Sequence, residues 1–213
     1  MCYNYPGDVI IVNATIVLII LMILGYLYGS IPFALVIGKV FYGVDVREHG
    51  SHNLGGTNTG RVLGKKAGLA CIILDVAKCF VMVTVTKIVG HYIALPEYGI
   101  YLVALSCVIG HCYPLFANFK GGKAVSVMFG YALGCHFWLF AIVGIVFLAV
   151  LKLTKYVSLS SMIGAVVLVL CTPIFDMGVV GLCCNVFIAV LIIYRHRANI
   201  KRLMDKTESK ITW

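Results

Sequence analysis

Two glycine-rich polar segments carry the residue types that hold oxyanions. The first runs Arg47-Glu48-His49-Gly50-Ser51-His52-Asn53-Leu54-Gly55-Gly56-Thr57-Asn58-Thr59-Gly60-Arg61. Its glycines let the backbone approach a ligand closely and turn N–H groups inward. Ser51, Asn53, Thr57 and Asn58 add short hydrogen-bonding side chains, and Arg47 and Arg61 supply forked cationic donors suited to phosphate. The second runs Gly110-His111-Cys112-Tyr113-Pro114-Leu115-Phe116-Ala117-Asn118-Phe119-Lys120-Gly121-Gly122-Lys123. Lys120-Gly121-Gly122-Lys123 sets two ammonium groups and backbone donors at the mouth of a short apolar helix, an anion site by dipole and by charge. The spacing is not that of a Walker A loop.

Two smaller clusters follow. Ser158, Ser160 and Ser161 open a helix after Lys155-Tyr156, and capping its first turn explains only one of them. In Tyr194-Arg195-His196-Arg197-Ala198-Asn199-Ile200-Lys201-Arg202, His196 and Asn199 stand three apart and share one helix face. Each segment also has a plainer use, as a polar linker, an orienting loop or a tail bound to lipid headgroups.

The elements that must position these groups are membrane helices. The 213 residues are 62% hydrophobic and 12% charged, against roughly 25% charged in a soluble domain. Too few polar side chains exist to coat a soluble surface. Apolar runs cover about 9–38, 67–89, 98–117, 124–151, 158–175 and 178–194, and about 20 residues suffice to cross a bilayer as a helix. The first run is too long for the core of a signal peptide and lacks a basic region before it, so it reads as a retained helix. The length suits one domain over residues 1–213.

Charge placement rejects a count of six spans. Basic residues cluster at 39–66, at Lys120 and Lys123, at Lys152 and Lys155, and from Arg195 to Lys210. Six spans would divide these groups between the two sides. If 124–151 hides two crossings, broken near Gly130 to Cys135, all four groups share one side, as cytoplasmic loops should. The expectation is therefore an all-α integral membrane protein of about seven transmembrane helices. One of them is short, the N-terminus lies outside and the C-terminus is cytoplasmic. The net charge of +9 then marks orientation and the lipid bilayer as partner, not nucleic acid. Most of the nine cysteines lie in apolar stretches without a C-x-x-C pair, which favours inert thiols. Asp75 and Lys78 fall inside a span at a spacing that lets them pair. An intramembrane carboxylate also fits a proton or ion pathway.

Together these segments resemble the bacterial acyl-phosphate-dependent glycerol-3-phosphate acyltransferases, the PlsY family. The resemblance rests on Gly29-Ser30-Ile31-Pro32-Phe33, the Arg47 to Asn58 loop and Val62-Leu63-Gly64-Lys65-Lys66-Ala67-Gly68. It continues through Gly110-His111-x-x-Pro114-x-Phe116-x-x-Phe119-Lys120-Gly121-Gly122-Lys123, the Ser158 cluster and His196-Arg197-x-Asn199-Ile200. His52, Gly56, Cys79, Ser126-Val127 and Ala198 depart from the pattern. The His-x-x-x-x-Asp signature of other glycerolipid acyltransferases is absent.

The resemblance implies acyl transfer from acyl phosphate to the 1-hydroxyl of glycerol 3-phosphate at the cytoplasmic face of the cell membrane. It implies no metal and no cofactor, and an upstream enzyme that forms the acyl phosphate. By resemblance and chemistry, Arg47, Lys123, His196 and Asn199 would hold glycerol 3-phosphate. Ser30, Ser51, Asn53, Gly55, Thr57, Asn58, Lys120, Gly121, Gly122, Ser158 and Ser161 would bind substrate, mostly around the acyl phosphate. His111, His196 or a donor phosphate oxygen would accept the hydroxyl proton. The rival readings are a transporter of a phosphorylated metabolite, which would move its substrate unchanged, and a non-catalytic scaffold.

Overall fold

In lipid the backbone has no water to bond, so each apolar run must close its own hydrogen bonds as a helix. The structure, a computed structural model, describes residues 7–211, with side chains described from Ala14 onward. The helices are α1 (Gly7–Gly29), α2 (Phe33–Tyr42), α3 (Gly56–Leu63), α4 (Lys65–Tyr92), α5 (Gly99–Cys112), α6 (Val125–Cys135), α7 (Phe137–Thr154), α8 (Val157–Cys171), α9 (Gly178–Arg195) and α10 (Arg197–Met204). Six stretches are long and apolar enough to cross a bilayer, and Val125–Cys135 is a shorter apolar helix. The protein is thus an all-α membrane bundle of the expected size.

The long run at 124–151 does hide a break. It falls at His136, whose extended backbone (φ −155°, ψ 121°) separates α6 from α7. Eleven residues of α6 reach only about 16 Å at 1.5 Å per residue, about half the hydrocarbon core. Its final carbonyls need partners inside the protein. Lys87 of α4 supplies them, donating to Gly134 O at 2.7 Å and Cys135 O at 3.3 Å. The other end of α6 meets the polar loops. Its sides are enclosed: Val127, Met128, Tyr131 and Ala132 are fully buried.

The first run differs from expectation. Residues 9–38 read as one span, but α1 stops at Gly29 and α2 starts anew at Phe33. Pro32 lacks the N–H that would continue the ladder and restricts the residue before it. Small residues let helices cross closely. A Cβ on Gly110 of α5 would collide with Tyr26 O of α1, and one on Gly130 of α6 with Val76 O of α4. Outward faces are apolar, with Ile16, Ile19, Ile20 and Ile23 of α1 and Ile145 and Leu148 of α7 exposed to lipid. Among the described residues the eight cysteines are free thiols; Cys2 lies outside them.

Deep in the bundle a neutral network closes on itself. Tyr131 Oη donates to Asn185 Oδ1 at 2.5 Å, and Asn185 Nδ2 donates to Thr172 Oγ1 at 2.8 Å. Thr172 in turn donates to Leu168 O at 3.2 Å.

Candidate active site

The four basic segments meet at one end of the bundle. Asn53 Nδ2 donates to Gly121 O (3.2 Å), Lys123 Nζ to Asn199 Oδ1 (2.6 Å), and Ile211 N to Lys155 O (3.0 Å). They enclose a cavity of about 210 Å³. Ser51, Asn53, Gly55, Thr57, Asn58, His111, Lys123, Ser158, Ser161, His196 and Asn199 all line it. Ser30, Arg47, Lys120, Gly121 and Gly122 do not.

Arg47 is engaged elsewhere. Its guanidinium donates to both oxygens of Asp45, at 3.0 and 2.7 Å, and holds that carboxyl well below the usual carboxylate range. His52 takes a left-handed backbone (φ 56°), and its Nδ1 lies 2.8 Å from Arg47 O. A carbonyl only accepts, so Nδ1 carries the proton and ties the turn. Asn58 is a second staple: Oδ1 accepts from Ser51 N at 2.7 Å, and Nδ2 donates to Val46 O and His49 O at 2.9 and 3.2 Å. Ser30 is buried, its hydroxyl donating to Tyr26 O at 2.8 Å. Lys120 is exposed on the loop surface.

The Lys-Gly-Gly-Lys turn works differently from its sequence reading. The N–H groups of Gly121 and Gly122 point away from any ligand, to Cys112 O at 3.2 Å and His111 O at 3.0 Å. These positions need glycine because a Cβ would strike His111 O at one and His111 Nε2 at the other. Arg195 clamps both carbonyls, from Nε to Gly122 O at 3.0 Å and from NH2 to Gly121 O at 2.8 Å. The strapped turn delivers Lys123 into the cavity, beside the first residues of α6, Val125 and Ser126.

Glu208 is the residue that sequence reasoning passed over. After α10 the chain reverses, with the N–H groups of Thr207 and Glu208 both donating to Arg202 O. Glu208 Oε1 then accepts from Ser158 Oγ (2.7 Å) and Asn199 Nδ2 (2.6 Å), and Oε2 from Arg202 Nε (2.6 Å). Burial raises its pKa, but hydrogen bonds from Asn199, Ser158 and Arg202 outweigh this and hold the carboxyl below its ordinary value. An acceptor-only anion thus occupies a ring of donors suited to phosphate. Of the three serines, Ser158 reaches across to Glu208. Ser160 and Ser161 donate back to Tyr156 O and Val157 O in their own helix.

Burial, reinforced by the positive charges of Arg202 and Arg195, lowers Lys123 to about 8. Burial also lowers His196 to about 4, with Lys123 and Arg195 adding to it. Its Nδ1 lies 2.8 Å from Ile192 O and therefore donates, which leaves Nε2 as the acceptor of a neutral ring. His111 belongs to a buried cluster with Asp75 and Lys78. Lys78 Nζ stands 2.8 Å from Asp75 Oδ1 and 3.1 Å from His111 Nδ1. The pairing of Asp75 with Lys78 follows from sequence; its third member does not.

Ile72, Phe129, Phe147 and Val157 add apolar lining to the same cavity. Phe129 and Phe147 meet edge to face with centroids 5.4 Å apart. Cations, hydroxyls and apolar side chains around one cavity, within a bundle of membrane helices, define a membrane protein whose site suits an anionic, lipid-like ligand.

The comparisons agree. Residues 19–206 match the sequence model of the glycerol-3-phosphate acyltransferase family. The chain is 47% identical over 193 residues to a glycerol-3-phosphate acyltransferase of Bacillus cereus (strain G9842), covering 90% of this chain and 93% of the relative. It is 44% identical over 194 residues to that of Geobacillus kaustophilus (strain HTA426), covering 91% and 96%. It also resembles the crystal structures of PlsY (YgiH), an integral membrane glycerol 3-phosphate acyltransferase, at 35% identity. The glycerol 3-phosphate form gives a TM-score of 0.85 over 92% of this chain and 96% of that one. The lysophosphatidic acid form gives 0.82 over 92% and 95%. The chain belongs to the PlsY family of glycerol-3-phosphate acyltransferases.

Proposed function

We propose that this chain transfers an acyl group from acyl phosphate to the 1-hydroxyl of sn-glycerol 3-phosphate, giving lysophosphatidic acid and inorganic phosphate. That is the first step of phospholipid synthesis. The observation that carries the reading is the mixed lining of one cavity, where Lys123, Asn199, Ser158 and His196 are joined by Phe129 and Phe147. A phosphorylated acyl donor has the same mixed character. Membership of the family supports the acceptor, and the ring of donors around Glu208 supports a phosphate.

Lys123, His196 and Asn199 bind the phosphate or hydroxyls of glycerol 3-phosphate. The Ser51 to Asn58 loop, Ser158 and Ser161 surround the acyl phosphate, and its chain lies along Phe129 and Phe147. Arg47, Gly121 and Gly122 act on the shape of the site. The hydroxyl oxygen attacks the acyl carbonyl carbon, an ester C–O bond forms, and the bond between the acyl carbon and the bridging phosphate oxygen breaks. Phosphate departs with the electron pair. His196 Nε2 accepts the hydrogen bond of the attacking hydroxyl and orients it. Basicity favours a different final acceptor: His196 sits at about 4, whereas a phosphate monoester titrates near about 6. The proton ends on the departing phosphate.

The positive-inside distribution supports a cytoplasmic C-terminus, an outside N-terminus and a site open to the cytoplasm. The whole chain then acts as one multi-pass domain in the cell membrane, supplied by an enzyme that makes acyl phosphate. The test is to incubate purified, detergent-solubilised protein with acyl phosphate and glycerol 3-phosphate. Stoichiometric phosphate and lysophosphatidic acid are expected, with no product from acyl-CoA run in parallel. Product from acyl-CoA alone would overturn the donor. Binding of glycerol 3-phosphate without product from either would overturn the acyltransferase.

A further inference from the structure

Asp75, Lys78 and His111 are each at most 6% exposed and come from two helices, with the Ile31 carbonyl at the α1–α2 break beside them. An ammonium has three protons and no lone pair. Lys78 Nζ hydrogen-bonds to Ile31 O at 3.2 Å and His111 Nδ1 at 3.1 Å, and it pairs by charge with Asp75 Oδ1 at 2.8 Å. Asp75 Oδ1 also lies near His111 Nδ1, but farther off at 3.5 Å. The closer contact decides the proton: Nδ1 accepts from Lys78, so the ring proton sits on Nε2. That nitrogen faces Gly122, where a Cβ would collide with it, at the edge of the cavity His111 lines.

We infer that Lys78 is a positioning residue that fixes His111 as an Nε2–H donor to the oxyanion formed during acyl transfer. His196 is held the opposite way, with its proton on Nδ1 by Ile192 O. The site therefore carries one imidazole that accepts and one that donates. His111 has no free lone pair and is not the base. Its donor stabilises negative charge on the acyl oxygen as the hydroxyl attacks, and Asp75 balances the ammonium that aims it. This assignment rests on the acyl-transfer reading, yet its first test needs no turnover.

Nitrogen NMR of histidine-labelled protein in detergent should show the His111 proton on Nε2. In the Asp75→Leu/Lys78→Met double variant, which removes both charges together, that signature should be lost. The same variant, shown to be folded by glycerol 3-phosphate binding, should lose about tenfold to a hundredfold in kcat with KM little changed. His111→Gln keeps a donor near the Nε2 position and should stay within about tenfold of wild type, while His111→Ala should lose about 10²–10³-fold. A proton found on Nδ1 of the wild-type ring would overturn the inference. So would equal losses in the Gln and Ala variants, or a folded double variant with wild-type kcat. Wild-type turnover in the same assay separates these failures from failure of the acyltransferase reading itself.

Discussion

At the cavity end of the bundle, Lys123, Asn199, Ser158 and His196 turn polar groups toward a ligand-sized space. Deeper in, Tyr131, Asn185 and Thr172 spend theirs on one another. The deeper set is shielded from water, and there an unmet polar group costs about 1–3 kcal/mol. The closed set meets that demand within the fold. The open set is completed in part by a carboxylate from the chain's own tail. The comparison teaches that a neutral network can close on itself inside the bundle, while the groups at the cavity end leave space between them.

Substitutions can break this contrast. Lys123→Ala should lower kcat/KM for glycerol 3-phosphate by about 10²–10³-fold with the thermal midpoint nearly unchanged. Steady-state kinetics and a melting curve on one preparation check both halves. Asn185→Leu should do the reverse. It strands Tyr131 Oη and takes one donor from Thr172 Oγ1, which keeps its bond to Leu168 O, so stability should fall by about 1–3 kcal/mol while kcat of the folded fraction holds. If Asn185→Leu slows folded enzyme instead, the two regions are not separate.

Glu208 belongs to the cavity end, yet its partners are all within the fold. Glu208→Ala removes the acceptor shared by Ser158, Asn199 and Arg202 and should destabilise by about 1–2 kcal/mol. Inorganic phosphate should restore more of the thermal midpoint in this variant than it adds to wild type. Failure of phosphate to do so would mean the carboxylate occupies no phosphate site.

The pH profile sharpens the contrast further. In the proposed reaction Lys123 holds phosphate only when protonated, and burial lowers its pKa to about 8. KM for glycerol 3-phosphate should therefore rise as pH climbs through that value, approaching tenfold per unit above it. Lys123→Arg should remove this alkaline limb while leaving substrate ionisation as it was. As pH falls through about 4, His196 gains a proton, Nε2 stops accepting, and kcat/KM should drop. The smallest effect belongs to His52→Gly. Relief of the left-handed backbone opposes loss of the bond to Arg47 O, so stability should move by less than about 1 kcal/mol.

Much of this was readable from residues alone because membrane topology is written in local signals. Lysines and arginines on one side divided 124–151 at nearly the right place, although nothing apolar marks His136 as the break. The 9–38 run hid its break, because hydropathy passes smoothly through Gly29 and Ile31 and only Pro32 gives a hint. Composition also placed Ser51 to Asn58 and Lys123 among ligand-binding candidates, and the family resemblance added His196 and Asn199. What composition could not supply was partnership across distance. Arg47 looked like a free phosphate fork, yet Asp45, two residues earlier, occupies it. Glu208 looked like one acid in a basic tail until the chain reversal returned it to Ser158, fifty residues away. His111 and Lys78 lie 33 residues apart, and no periodicity joins them.

The Asp75–Lys78–His111 cluster also bears on how the protein is made. A chain synthesised from its N-terminus presents α4 to the membrane before α5 exists. On insertion scales an aspartate or lysine at a helix centre is unfavourable by about 2.5–3.5 kcal/mol. Asp75 and Lys78 travel in together as an i, i+3 pair, on a 28-residue helix whose other lysines, Lys65, Lys66 and Lys87, stand nearer its ends. His111 closes the arrangement only when α5 arrives beside it. The histidine set to meet substrate is thus also the residue that ends the exposure of a nascent helix's charges to lipid.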